Sequence, residues 1–175
     1  MTTADERREF LDKDFYDALR WAFVGAVTWA ATEGRPERVL GMYTNFVQIR
    51  ALYEFFHTKG SKPDDARAIE FAPSWTEPAS PLYLKYMQNE TPANKRVFHL
   101  VYGRSAAANA GGPGDDGPDH LKNQVIEFAK DLRRLAEAFI KCVDPQFRDI
   151  ARAALDKALI EAKKTADCYG IANPL

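Results

Sequence analysis

The residues of this chain best placed to do chemistry lie in two short stretches, FVQIRALYEFFH over 46–57 and NKRVFHLVYGR over 94–104. In the first, Arg50, Glu54 and His57 stand four and three apart. At 3.6 residues per helical turn, Arg50 and His57 return to within about 20° of one direction, with Glu54 between them. A cation, a carboxylate and an imidazole then share one stripe. Histidine moves protons near neutral pH, and a guanidinium stabilises charge developing on a phosphoryl oxygen. In the second stretch Lys95 and His99 are one turn apart and Arg104 follows five residues later, about 140° around the axis. Asn94, Lys95, Asp64 and Asp65 are the supporting polar residues. A structural role stands beside the catalytic one. Buried charges must be paired whether or not they catalyse, and Asp64 or Asp65 can pair with Arg50 or Arg104.

Other chemistries are poorly served. Glu54 and His57 form a single ExxH, whereas di-iron bundles need two such pairs and two further glutamates. No second pair occurs among His57, His99 and His120, so no metal and no cofactor are expected. The glycines of NAGGPGDDGP, 109–118, precede no Lys-Ser or Lys-Thr and read as a linker rather than a phosphate loop. Cys142 and Cys168 match no CxxC spacing and are expected to be reduced core thiols.

Around these residues the sequence describes an all-α chain. Phe15, Leu19, Ala22, Ala26 and Trp29 recur at steps of four and three, giving a long first helix from near Thr3 or Asp5 to about Thr32. Gly34 stops it and Pro36 opens a second helix, which closes an antiparallel hairpin. Met42, Phe46, Ile49, Tyr53 and Phe56 mark the buried face of that second helix. Prolines at 73, 78, 81 and 92 forbid one long helix in the next stretch. A short helix around DDARAIEF and a turn of helix near Leu82–Met87 are expected there. Thr91 and Pro92 cap a third helix through Arg104. Leu121, Val125, Phe128, Leu132, Leu135, Phe139 and Cys142 form the seam of a fourth. Asp144 and Pro145 begin the last helix, with Ile150, Ala151, Ala154, Ala158 and Ala162 on its small-residue face, and Gly170 marks its end. The expectation is an up-down bundle of four main long helices plus a shorter one in a single domain spanning 1–175. An irregular proline-rich excursion over 58–92 separates the second and third helices, and a flexible Gly-rich loop covers 105–117.

Composition limits the rest. The chain has 175 residues, 46% of them apolar and 28% charged, with a net charge of −1, enough for one well-filled core. No global positive field would gather nucleic acid or anionic lipid. The most apolar run, 18–31, contains Arg20 and is shorter than the ~20 residues a bilayer demands. The N-terminus mixes acids with bases and lacks a signal-peptide pattern. A cytoplasmic location and no membrane partner are expected.

The two polar stretches, with SKPDDARAIEF between them, carry a pattern of Arg, paired aromatics, Asp-Asp, Asn-Lys, His-Leu and a closing Arg. This pattern resembles a group of uncharacterised bacterial all-α proteins. The spacing of Arg50 and His57, with six residues between, also resembles the arginine-x(4–6)-histidine motif of HEPN domains, found in RNase toxins and defence proteins. The resemblance spans about 46–104 and departs from the motif at Ala51, where a polar residue is common. It implies a metal-independent RNase with Arg50, His57, His99 and Arg104 as catalytic residues, histidine moving protons and arginine holding phosphate charge. It further implies a homodimer, with RNA or a cognate protein as partner. The competing expectation is a non-catalytic helical protein that binds a protein partner or a small ligand, its polar residues purely structural.

Overall fold

The computed structural model describes residues 3–32, 36–57, 66–86, 125–172 and 174–175. The described residues are all-helical and contain no strand. The helix expected over 91–104, the Gly-rich loop over 105–117 and the remainder of the excursion lie outside them, as do Asp64, Asp65, Asn94, Lys95, His99, Arg104 and His120.

Helix α1 (Ala4–Phe10) starts where expected. Thr3 caps it reciprocally: its hydroxyl accepts from the Glu6 amide at 3.2 Å, and Glu6 accepts from the Thr3 amide at 2.7 Å. A π-helical turn over Leu11–Phe15 follows, leading directly into α2 (Tyr16–Ala31). The periodicity alone describes a continuous α-helix, so this turn is a departure. Its physical effect can be seen in burial. Leu11, Phe15 and Leu19 are successive steps of four, which drift round an α-helix, yet all three are buried. The wider turn takes up that drift and keeps them on one face.

Helix α3 (Pro36–His57) lies antiparallel to α2. The direction follows from its contacts, which pair Gly25 with Gly41 and Ala22 with Asn45. The backbones meet closely. A Cβ on Gly25 would lie 2.9 Å from the Asn45 nitrogen and the Gly41 oxygen, and one on Gly41 would lie 2.9 Å from the Trp29 nitrogen. Asn45 seals this crossing by donating to the Ala22 carbonyl at 2.6 Å.

Two short helices, α4 (Ala68–Phe71) and α5 (Pro81–Tyr86), flank a non-helical run that opens with a turn closed by the Trp75 amide on the Ala72 carbonyl at 2.8 Å. Helix α6 (Val125–Cys142) buries Val125, Phe128, Leu132, Leu135 and Phe139 as the seam spacing requires. Cys142 departs from it. The thiol is exposed, as is that of Cys168, and neither is a core residue. The seam passes instead to Val143, which is 1% exposed. Asp144 then caps α7 (Pro145–Cys168), accepting from the Gln146 amide at 3.1 Å, while its own amide bonds the Phe71 carbonyl at 3.0 Å. Ala151, Ala154, Ala158 and Ala162 of α7 are buried as expected. Gly170, at φ +68°, ends the helix, and Ile171 donates to the Ala166 carbonyl.

Helices α2, α3, α6 and α7 enclose a common core, with Phe15, Phe55, Phe56, Phe71, Trp75 and Phe139 forming an aromatic cluster in ring contact. No helix of the described residues is long and apolar enough to cross a membrane.

Candidate functional site

The C-terminal half of α3 carries the sequence motif and divides it. Phe46, Ile49, Tyr53 and Phe56 bury the face expected of them, the side chain of Met42 lies outside the described set, and Leu52 is buried as well. Arg50 and Glu54 lie beside that face, and the Arg50 Nε donates to Glu54 Oε1 at 2.7 Å. Their side chains are 39% and 44% exposed, so water screens the pair.

His57, the last residue of α3, turns away from that surface. Its side chain is only 5% exposed. The ring lies flat against Tyr83 of α5, with centroids 3.9 Å apart and planes 2° from parallel. Nδ1 faces Glu77 Oε2 at 3.1 Å. An ionised carboxylate only accepts, so Nδ1 carries the proton and Nε2 of the neutral ring keeps a lone pair. That Nε2 is buried and has no hydrogen-bond partner among the described residues. Burial pushes the imidazole below its ordinary range, outweighing the opposing pull of Glu77 and Asp131; Arg134 pushes in the same direction as burial.

Beside His57 is a second polar centre, built around Asp131 of α6. Its Oδ2 accepts from the Tyr53 hydroxyl at 2.8 Å and from the Ser80 hydroxyl at 2.5 Å. Its Oδ1 accepts from Arg134 Nε at 3.1 Å and Nη2 at 2.7 Å. The carboxylate is 10% exposed. Ser80 Oγ also accepts from the Tyr83 amide at 3.0 Å, and Arg134 Nη2 donates to the Ala79 carbonyl at 2.9 Å. Burial foremost, then the negative Asp131, holds the Tyr53 phenol firmly protonated. Trp75 completes the attachment by donating to the Phe56 carbonyl at 2.9 Å. Residues 75–83 are therefore fastened to α3 and α6 by hydrogen bonds from Tyr53, Trp75, Ser80 and Arg134, with Asp131 as the shared acceptor of three of them.

Chemically, this is a set of satisfied hydrogen bonds around one carboxylate, with a neutral histidine stacked alongside. Of the residues singled out in the sequence, Arg50 and Glu54 meet each other and His57 goes elsewhere. The ExxH pair likewise separates, Glu54 to Arg50 and His57 to Glu77. Among the described residues no three His, Cys, Asp or Glu side chains converge as metal ligands. Asp131, Ser80, Glu77 and Arg134 escaped the reading of the sequence. One signal was present: Asp131 stands three after Phe128 and four before Leu135, a lone carboxylate against an apolar seam. No family model, curated protein or solved structure matches the chain.

Proposed function

We propose that this chain is a non-catalytic helical protein that binds a protein partner or a small ligand. Its long helices form an up-down bundle within one domain, and a proline-rich excursion is fastened over one end by the Asp131 and His57 clusters. The observation that carries this reading is the separate fate of Arg50 and His57. Phosphoryl chemistry by a histidine and an arginine requires both to converge on an open cleft. Here the imidazole is enclosed by Tyr83 and Glu77, while the guanidinium engages Glu54 at the surface. The test is RNA incubated with the purified chain in EDTA. Intact RNA is the expected result; cleavage that disappears in His57→Ala or His99→Ala overturns the reading.

A second reading is favoured by one feature, the Nε2 of His57, which has no hydrogen-bond partner among the described residues. It is the HEPN-like, metal-independent RNase of a bacterial defence or toxin module, with His99 and Arg104 joining Arg50 and His57. Nε2 would become reachable if residues 75–83 swung away. A homodimer belongs to this reading, and sedimentation equilibrium at micromolar concentration tests it: a monomer counts against paired sites. A cytoplasmic location is consistent with either.

A further inference from the structure

The π-helical turn and α3 leave a recess of about 400 Å³ between them, at the small end of the range that ligand sites span. Its lining is sharply divided. Phe10, Phe15 and Phe55 are among the apolar side chains, Asp14, Asp17 and Glu54 are the acids, and no Lys, Arg or His of the described residues lines it. The rings of Phe10 and Phe55 stack at 5.7 Å and those of Phe15 and Phe55 meet at 5.4 Å, so the partly exposed Phe10 is backed by two buried rings. Two of the acids have basic neighbours outside the recess, Glu54 with Arg50 at 2.7 Å and Asp17 with Arg20 at 3.9 Å. Asp14 forms no ion pair among the described residues. The π turn contributes directly, since Asp14 and Phe15 are consecutive residues within it and both line the recess. Such turns inside α-helices recur where a helix serves a site.

We propose that this recess binds a small organic cation with an apolar body, an aryl- or alkylammonium. The body rests on the Phe10 ring and the apolar wall behind it, and the ammonium head lies toward the carboxylates. Aromatic faces attract cations and carry the apolar mass, and the acids exclude an anion of the same shape. This inference rests on the reading of the chain as a binding protein and specifies its ligand class.

The experiment is calorimetric titration of the full chain with 4-phenylbutylammonium, 4-phenylbutanol and 4-phenylbutyrate. The cation is expected to bind at least ~10-fold more tightly than the alcohol, with the carboxylate weakest. In the exposed double variant Asp14→Asn/Glu54→Gln, checked for unchanged helicity by circular dichroism, the cation should fall to the affinity of the alcohol. Ala51→Trp, which fills the recess, should abolish binding of both. Equal affinity for cation and alcohol overturns the charge assignment. No binding of any probe, or cation binding that both variants leave intact, overturns the site. None of these failures touches the non-catalytic reading, which falls only if RNA is cleaved.

Discussion

Helix α3 is held in two different ways along its length. Near its start, Gly41 and Asn45 meet Gly25 and Ala22 of α2, backbone against backbone, with the Asn45 amide donating into the neighbouring helix. Toward its end, Tyr53 and His57 reach polar and aromatic groups on α5, α6 and the run through Glu77 and Ser80. The first attachment depends on the absence of side chains, so anything added must push two helices apart. The second depends on side chains having partners, and anything removed leaves a buried group without one. The same helix therefore fails in opposite ways at its two ends, by overfilling and by loss of partners.

The crossing should be the more sensitive. A methyl on Gly25 would meet the Asn45 nitrogen and the Gly41 oxygen, both backbone atoms, at 2.9 Å. Neither can rotate aside. Gly25→Ala is expected to cost about 3 kcal/mol, the upper part of the range for overpacking, measured as a shift in denaturation midpoint at unchanged m-value. A loss under ~0.5 kcal/mol would mean the helices separate without penalty and would dissolve the contrast between the two ends.

At the other end, Asp131→Ala removes the acceptor of the buried Tyr53 hydroxyl and of Ser80, together with the partner of Arg134. The expected loss is about 2 kcal/mol, set chiefly by the stranded Tyr53 donor. Because residues 75–83 hang on these bonds, their amides should also exchange faster with solvent while those of α7 do not. Uniform protection in the variant would remove the fastening role from Asp131.

What could be read in advance follows the same division. The start of α7 at Asp144 and Pro145, its stop at Gly170 and the apolar seam of α6 were legible because each is decided within one or two turns of chain. The buried face of α3 was legible for the same reason. Cys142 misled because it continues the seam spacing at a position where Val143 has already taken over the core. The π turn was invisible, since LDKDF offers no local signal for it. The site was harder still. Tyr53 and Asp131 are 78 residues apart and Ser80 and Asp131 are 51 apart, so no helical periodicity links them. Arg134 is 48% exposed, yet it holds both Asp131 and the Ala79 carbonyl.

A smaller effect separates His57 from Asp131 by its dependence on pH. Burial lowers the folded-state affinity of the imidazole for protons below its ordinary value near 6.5. The unfolded chain therefore binds the proton more readily, and stability is complete above 6.5 and falls as pH drops through it. Denaturation midpoints between pH 7.5 and 5.5 should decline for the native chain. In His57→Phe, which keeps a ring against Tyr83, the decline should be shallower. The depressed carboxyls of Glu6 and Glu161 act at lower pH and lie outside this window. Identical slopes for the two proteins would show that the stacked histidine does not titrate on unfolding.

The smallest effect concerns a pair of carboxylates that hold an arginine at the same distance. Glu54 meets Arg50 at 2.7 Å and Asp131 meets Arg134 at 2.7 Å, but the acids are 44% and 10% exposed. Distance alone would rank the two pairs as equals. Water around Glu54 screens the attraction and solvates whatever replaces it, so Glu54→Gln should change stability by less than about 0.5 kcal/mol. Asp131→Asn keeps the shape but returns an amide where Tyr53, Ser80 and Arg134 all donate, and it should cost more than Glu54→Gln in the same denaturation series. If the two losses were equal, burial would not be what distinguishes the two pairs. Glu54 would then be a structural residue in its own right rather than a screened surface charge at the edge of the recess.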